Sequence, residues 1–265
     1  MKLFAFTILI FSSSLGFSTG QNGDILIWNN KKYSVLSNPL EDYPQFDSIR
    51  PKLFGDKPLD WNTACYRGYI AEWEIVDNQL YLTNIFSCNN RNIKANLNLL
   101  FSDVIKNGKI KADWVNQTLI VPEGKCLYYG NIGYSYIYET EHELTIEHGE
   151  LTKNKRFENS SHISVFSQKP DTLIKWIYGN IHWNNIPDTI KNPVRVYLYF
   201  ISSDTNKPIV RVLKGSGIKV IDDEALRVAS LIPDWDFYIQ RGKAFKTYWY
   251  APIIFSYENK LKYTH

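Results

Sequence analysis

The sequence predicts an α+β protein in two parts: an antiparallel β-rich N-terminal domain, built as a sandwich or barrel, then a small α-β-β-α-β domain. Three observations carry this. From residue 24 to about 165, apolar and polar residues alternate at period two. Beyond Pro170, two stretches change to helical spacing, 173–178 and 225–232, with alternating runs between and after them. Aromatic residues make up 15% of the chain, including 18 Tyr and 8 Trp, and these side chains suit a half-buried pleated surface.

In the first part, Tyr69, Ala71, Trp73 and Ile75 fall on one face and Glu72 and Glu74 on the other. Asp77-Asn78 supplies a two-residue turn, after which Leu80, Leu82 and Phe86 return to the Trp73 face. A second hairpin runs from 143–147 through His148-Gly149 into 150–152, placing Ile146 opposite Leu151. Residues 110–114 and 119–122 read as further strands, and 95–101 as a helix or loop. There are three cysteines: Cys65, Cys88 and Cys126. With the first hairpin in uniform register, Arg67 faces Cys88 and Cys65 lies diagonal to it. Diagonal Cβ atoms sit roughly 7–8 Å apart, against ~3.8 Å in a disulfide. Reduced, buried thiols are therefore expected, and a bulge is the local change that would close the gap.

At the N-terminus, Lys2 precedes an apolar run over 3–17, interrupted by Ser12-Ser13-Ser14. The small residues Ser18-Thr19-Gly20 then lead into Gln21-Asn22-Gly23-Asp24. This is the layout of a cleaved signal peptide over 1–20, and it predicts an exported, periplasmic chain beginning near Gln21. A retained inner-membrane anchor facing the periplasm is the rival reading, but spanning takes ~20 apolar residues. No cysteine stands at the cleavage point, which disfavours a lipoprotein. The net charge of +3 is spread without any Lys/Arg run, so the footprint of a nucleic-acid binder is missing.

The pattern changes after Ser167, and the boundary is placed at 168, dividing 21–167 from 168–265. Pro170-Asp171 open a short amphipathic helix reaching Tyr178. Val194, Val196, Leu198 and Phe200 alternate with Arg195, Tyr197 and Tyr199 in a half-buried strand, and 209–213 return as a second. Asp222 is expected to cap the next helix by accepting from its first-turn N–H groups, with Asp223 and Glu224 favourable against the helix dipole. Ala225, Val228, Ala229 and Ile232 form its buried stripe, and Pro233 ends it. The last strand is 244–256. Pro252 cannot donate to a ladder, so that strand belongs at a sheet edge. Phe245, Trp249, Ile253 and Phe255 are expected to pack on the helix of Ala225 and Val228. That leaves Lys246, Tyr248, Tyr250 and Ile254 to meet a partner.

Several segments carry a resemblance. They are Val196-x-Leu198-x-Phe200, Val210-x-Val212-Leu213-Lys214-Gly215, Asp222-x-Glu224-Ala225-Leu226-Arg227-Val228, Pro233-x-Trp235, Arg241-Gly242-Lys243 and Pro252-Ile253-Ile254-Phe255. In order and spacing, residues 170–258 resemble TonB C-terminal domains of Gram-negative bacteria. The resemblance implies a protein-binding module that takes up an extended segment, in that family from an outer-membrane receptor, by strand addition. It also raises a second reading, an energy-transducer subunit for outer-membrane transport, which needs a retained N-terminal anchor. Departures bear on that second reading: the N-terminus looks cleaved, and a folded β domain stands where the family has a Pro-rich spacer. The first hairpin turn, 204–207, also lacks the family's Gly, and Trp235 is followed by Asp236-Phe237 in place of Pro-Gly. In the first part, Ala112-Asp113-Trp114, Pro122-Glu123-Gly124-Lys125, Gly133-Tyr134-Ser135 and Tyr138-Glu139 resemble an uncharacterised bacterial β-rich family. This implies a domain there and nothing about chemistry.

No catalytic, cofactor-binding or metal-binding constellation is found, and the chain does not read as an enzyme. Glu141-His142-Glu143 with Glu147-His148 lacks the helical i, i+4 geometry of a metalloprotease site. It reads as edge-of-core histidines beside a solvated Glu face. Gly215-Ser216-Gly217 lacks the end of a phosphate loop and reads as a bend. An enzyme sited in the N-terminal domain remains as an alternative, and it requires a concave pocket with converging polar groups and perturbed acids. A homodimer through the final edge strand is the alternative to a foreign segment.

Overall fold

The computed structural model describes residues 19–187 and 192–264. The expected signal peptide lies outside them apart from Thr19 and Gly20. Among the described residues no helix is long and apolar enough to cross a membrane.

β1 (Asp24–Trp28) pairs antiparallel with β2 (Lys31–Val35). A connection holding α1 (Phe46–Ile49) crosses to β3 (Tyr69–Val76), which runs parallel to β1. β3 and β4 (Gln79–Ser87) form the expected hairpin, with Asp77 and Asn78 at φ 49° and 64°. Two left-handed residues are what a type I′ turn requires. α2 (Leu97–Leu100), β5 (Ile105–Lys106) and β6 (Lys109–Lys111) follow, and 112–114, expected as strand, lie outside any strand. β7 (Gln117–Tyr129), β8 (Tyr136–Glu147) and β9 (Glu150–Glu158) complete the sheet, with Ile146 opposite Leu151 as expected. The path is β2-β1-β3-β4-β9-β8-β7, with the β5–β6 hairpin branching from β4. Its ends approach one another, since Leu36 N–H donates to Ile120 O at 2.8 Å. They form no ladder among the described residues, so the barrel is not closed.

A bulge and a turn each correct one expectation. The β3–β4 register shifts between Glu72 and Trp73, which leaves Thr83 as the extra residue on β4. Its Oγ donates to Glu72 O at 3.0 Å. Because side chains alternate faces, one inserted residue exchanges the two sides beyond it. Leu80, Leu82 and Ile85 therefore join the core of Trp73, Tyr69 and Leu144, while Phe86 turns to the opposite face. There it meets Ile25, Ile70 and Cys65, so that face is not simply solvated; Glu72 too is buried, accepting from Asn84 Nδ2 at 2.7 Å. The shift sets the Cys88 N–H on Gly68 O, and a turn then folds Cys65 back toward Cys88, the Gly68 N–H donating to Cys65 O at 3.2 Å with Gly68 at φ 80°. Cys65 and Cys88 are bridged, with Cα atoms 6.2 Å apart, contrary to the expected reduced thiols. Cys126 stays free.

At the start of β1, Asp24 is fully buried. It accepts from Arg67 Nη2 (2.8 Å), the Ala71 N–H (3.1 Å) and Trp73 Nε1 (3.0 Å). Burial pushes its carboxyl above the usual range, with Arg67 opposing. The group fastens β1 to β3 where no hairpin links them.

The second part begins with β10 (Ser160–His162), α3 (Val165–Gln168) and α4 (Pro170–Gly179), with Pro170 at the N-terminal position where its missing N–H is harmless. β11 (Val194–Ile201) and β12 (Ile209–Lys214) are the expected strand pair. α5 (Lys219–Ser230) buries Ala225, Val228 and Ala229, with Ile232 just beyond it in the same core. Asp222 is not its cap. The helix starts three residues earlier, and Asp222 instead accepts from the Ser216 N–H and Oγ, both at 2.7 Å, holding the bend of 215–217. The expected final strand is divided into β14 (Lys243–Phe245) and β15 (Tyr248–Phe255), and an unexpected β13 (Phe237–Gln240) precedes them. α6 (Tyr257–Tyr263) closes the chain. The second sheet runs β12-β11-β15, so β15 is an edge strand, as Pro252 requires.

A third sheet, β10-β13-β14, crosses the boundary drawn at 168. Stretch 167–170 is not a bare linker: it forms the end of α3 and the start of α4. Glu141, expected on a solvated face, is fully buried beneath the β13–β14 hairpin. It accepts from Gln240 Nε2 at 2.9 Å and Arg241 Nε at 2.7 Å. Arg241 Nη1 also reaches Glu143 Oε1 at 3.1 Å, and its N–H donates to Asn159 Oδ1 at 2.7 Å. Tyr128 packs on Tyr238 and Phe245.

The disulfide closes a loop over a sequence separation of 23. Replacing both residues, Cys65→Ser with Cys88→Ser, is expected to lower stability by about 3 kcal/mol. Urea unfolding of the variant and the oxidised parent measures this.

Candidate functional site

β15 bonds to β11 on one side only, so the alternation of its backbone groups decides what the other side offers. Ile254 N–H donates outward to Tyr178 Oη at 3.0 Å, and Ile254 O accepts from Asn259 Nδ2 at 2.9 Å. Counting back by two, Pro252, Tyr250 and Tyr248 share that outward parity. Pro252 has no N–H. Tyr248 and Tyr250 therefore hold the remaining outward donors of this strand, and neither N–H has a bonded partner among the described residues. The edge is open over its first half and closed over its second. Burial raises the Tyr178 hydroxyl above its ordinary range, with the Ile254 N–H pulling the other way, which keeps the phenol protonated beside the edge.

Helix α4 runs beside this edge. Its Tyr178 end touches Ile254, while Pro170, Leu173 and Ile174 stand off from Thr247, Tyr248 and Trp249 and leave a groove of about 370 Å³. Phe166, Ser167, Trp235 and Asp236 complete the walls. Trp235 stacks on Phe200 with centroids 5.0 Å apart, and Trp249 lies 5.7 Å from Trp235. These contacts fix the aromatic wall. Phe245 and Trp249 were expected inside with Ile253 and Phe255; the last two are buried, whereas Phe245, in the third sheet, packs on Tyr128 and Trp249 is 44% exposed because it borders the groove.

Of the expected partner-facing residues, the structure brings Tyr248 and Tyr250 together. They flank Tyr199 on the open face of the sheet, at 5.5 and 4.8 Å. Lys246 is exposed just before them, outside the groove wall. Ile254 stands apart, its backbone already occupied by Tyr178 and Asn259. Phe166, Leu173, Ile174, Trp235 and Asp236 escaped sequence reasoning. The one signal pointing to them was the replacement of Pro-Gly after Trp235 by Asp236-Phe237.

Asp234 and Asp236 anchor the groove's floor to α3. Asp234 Oδ1 lies 2.6 Å from His162 Nε2, and its Oδ2 accepts from the Val165 N–H at 3.0 Å. Asp236 accepts from the Ser164 N–H at 2.7 Å and Ser167 Oγ at 2.8 Å. Desolvation would raise the Asp234 carboxyl, but His162, the Val165 N–H and Ser164 outweigh it and hold the group below its ordinary value of 3.8.

The N-terminal domain holds a larger groove, about 680 Å³, lined by Tyr43, Tyr81, Trp114, Lys106, Lys109 and Lys111. Lys109 is matched to Glu74 and Lys111 to Asp113. The perturbed acid of that domain, Asp24, is sealed in the core and lines neither groove. His142 packs edge-on to Trp28 at 5.3 Å, and His148 sits in the turn at φ 48°. Among the described residues no group of His, Cys, Asp and Glu is placed to hold a metal ion. No protein-family model, no curated protein and no solved structure matches the chain.

The sign of the Asp234 shift sets a pH dependence. A carboxyl lowered in the folded state adds stability above its unfolded pKa and loses it as pH falls through the folded value. Acidification below the ordinary aspartate range is therefore expected to loosen the N-terminus of α3, with the Val165 amide signal moving as its acceptor is protonated. In Asp234→Asn that contribution to the acid transition should vanish, as followed by NMR.

Proposed function

We propose that the chain is an extracytoplasmic protein-binding module of the TonB C-terminal kind, which accepts a short extended segment of a partner by strand addition at the first half of β15. The observation that carries this reading is the pair of outward, unpartnered N–H groups at Tyr248 and Tyr250 beside an apolar groove. Backbone pairing supplies affinity in strand addition, and pockets for alternate side chains supply selectivity. Both elements stand here side by side. The order α4, β11, β12, α5, β15 supports the resemblance drawn from residues 170–258, with β13–β14 as an added hairpin. The Cys65–Cys88 bridge supports an oxidising, extracytoplasmic compartment.

Pairing of β15 with its own copy is the weaker reading. Self-pairing needs a long free edge, and here Pro252 and the Tyr178–Asn259 cap remove the second half while α4 flanks the first.

Titrating an extended peptide into the full chain, followed by amide NMR, is expected to shift residues 246–251 and leave 253–255 in place. Tyr250→Pro removes one outward donor at a position of the same parity as Pro252, so the sheet should persist. Affinity is then expected to fall about tenfold, the worth of ~1.4 kcal/mol. Shifts confined to the N-terminal domain, or none at saturation, would overturn the proposal.

A further inference from the structure

The groove beside β15 contains one formal charge on its walls. Phe166, Leu173, Ile174, Trp235 and Trp249 are apolar or aromatic, while Asp236 is a carboxylate. Its two oxygens each accept one bond from a neutral donor, the Ser164 N–H and the Ser167 hydroxyl. A carboxylate offers about four acceptor sites, so each oxygen retains capacity. Among the described residues no Lys, Arg or His forms an ion pair with Asp236, whereas neighbouring Asp234 is hydrogen-bonded to His162. A half-buried carboxylate against apolar walls feels an added cation more strongly than one in open water does. Lys246, the cation nearest in sequence to the β15 end of the groove, lies outside its wall.

We infer that the segment taken up by this groove is cationic: it carries a Lys or Arg two residues from a bulky apolar side chain. The inference rests on strand addition as proposed above. In an added strand, residues two apart project to the same side. One such side chain enters between Trp235, Trp249 and Leu173, and the next on that side reaches Asp236. An acidic segment drawn by Lys246 is the opposite outcome.

Three acetylated, amidated pentapeptides test this on the full chain: Lys-Thr-Phe-Thr-Lys, Gln-Thr-Phe-Thr-Gln and Glu-Thr-Phe-Thr-Glu. Their symmetry makes strand direction immaterial. The Lys peptide is expected to bind about tenfold tighter than the Gln peptide by calorimetry, with the difference shrinking at high salt. Asp236→Asn should abolish that difference. Ser167→Ala, which removes only the neutral hydrogen bond, should retain it and so separates charge from folding. Equal affinities, or tightest binding of the Glu peptide, would overturn the inference while leaving strand addition standing, provided Tyr248 and Tyr250 amides still shift. If no peptide shifts those amides, strand addition fails and this inference fails with it.

Discussion

Glu141 has no access to solvent, and a carboxylate in that position needs partners. An uncompensated buried charge costs several kcal/mol, and removing one member of a buried pair typically costs roughly 3–5 kcal/mol. Gln240 and Arg241 are the partners, presented from the turn between β13 and β14. That hairpin leads directly into Lys246, Tyr248 and Trp249, and it follows directly from Trp235 and Asp236. β10, its other neighbour in the joining sheet, leads into Phe166 and Ser167. Every wall of the groove except α4 is thus one or a few residues from a strand of the joining sheet. The β-rich first part holds these strands, and so it shapes a site that lies in the second.

The edge of β15 shows how little of a strand needs to remain open for recognition. A fully exposed edge invites indiscriminate pairing. Here Pro252 withholds a donor, Tyr178 accepts from the next, and Asn259 covers the carbonyl beside it. Two donors remain, at the point where the aromatic groove supplies a side-chain pocket. Selectivity for an extended segment then comes from the groove, because two backbone donors alone discriminate nothing. The other edge, β12, carries Arg211 and Lys214 and a bulge against β11, both of which discourage casual pairing.

Much of this architecture was legible from local chemistry. Asp77-Asn78 and His148-Gly149 announce their turns because few residues adopt positive φ. The stripe Ala225, Val228, Ala229 and Ile232 announces its helix, and Pro252 announces an edge. What escaped reading depends on contacts distant in sequence. The bulge at Thr83 leaves no mark in the alternation, yet it exchanges Phe86 for Ile85, and the turn from Cys65 to Gly68 is what carries Cys65 to Cys88. Glu141 looks solvated until a hairpin about 100 residues later covers it. Asp222 suits a cap, but it lies inside the first turn of α5 and its Oδ1 holds the Ser216 bend instead. β13 pairs with Ser160–His162, and no short-range pattern in either segment names the other.

Strand addition at β15 requires the outward N–H groups of Tyr248 and Tyr250 to be free in the unliganded chain and bonded when a segment is bound. Amide hydrogen exchange, residue by residue along β15, reads this directly. Fast exchange at Tyr248 and Tyr250 beside slow exchange at Trp249, Ala251 and Ile253, with the two fast sites slowed by bound peptide, is the predicted pattern. Slow exchange at Tyr248 and Tyr250 in the free chain, or no slowing by saturating peptide, would contradict it.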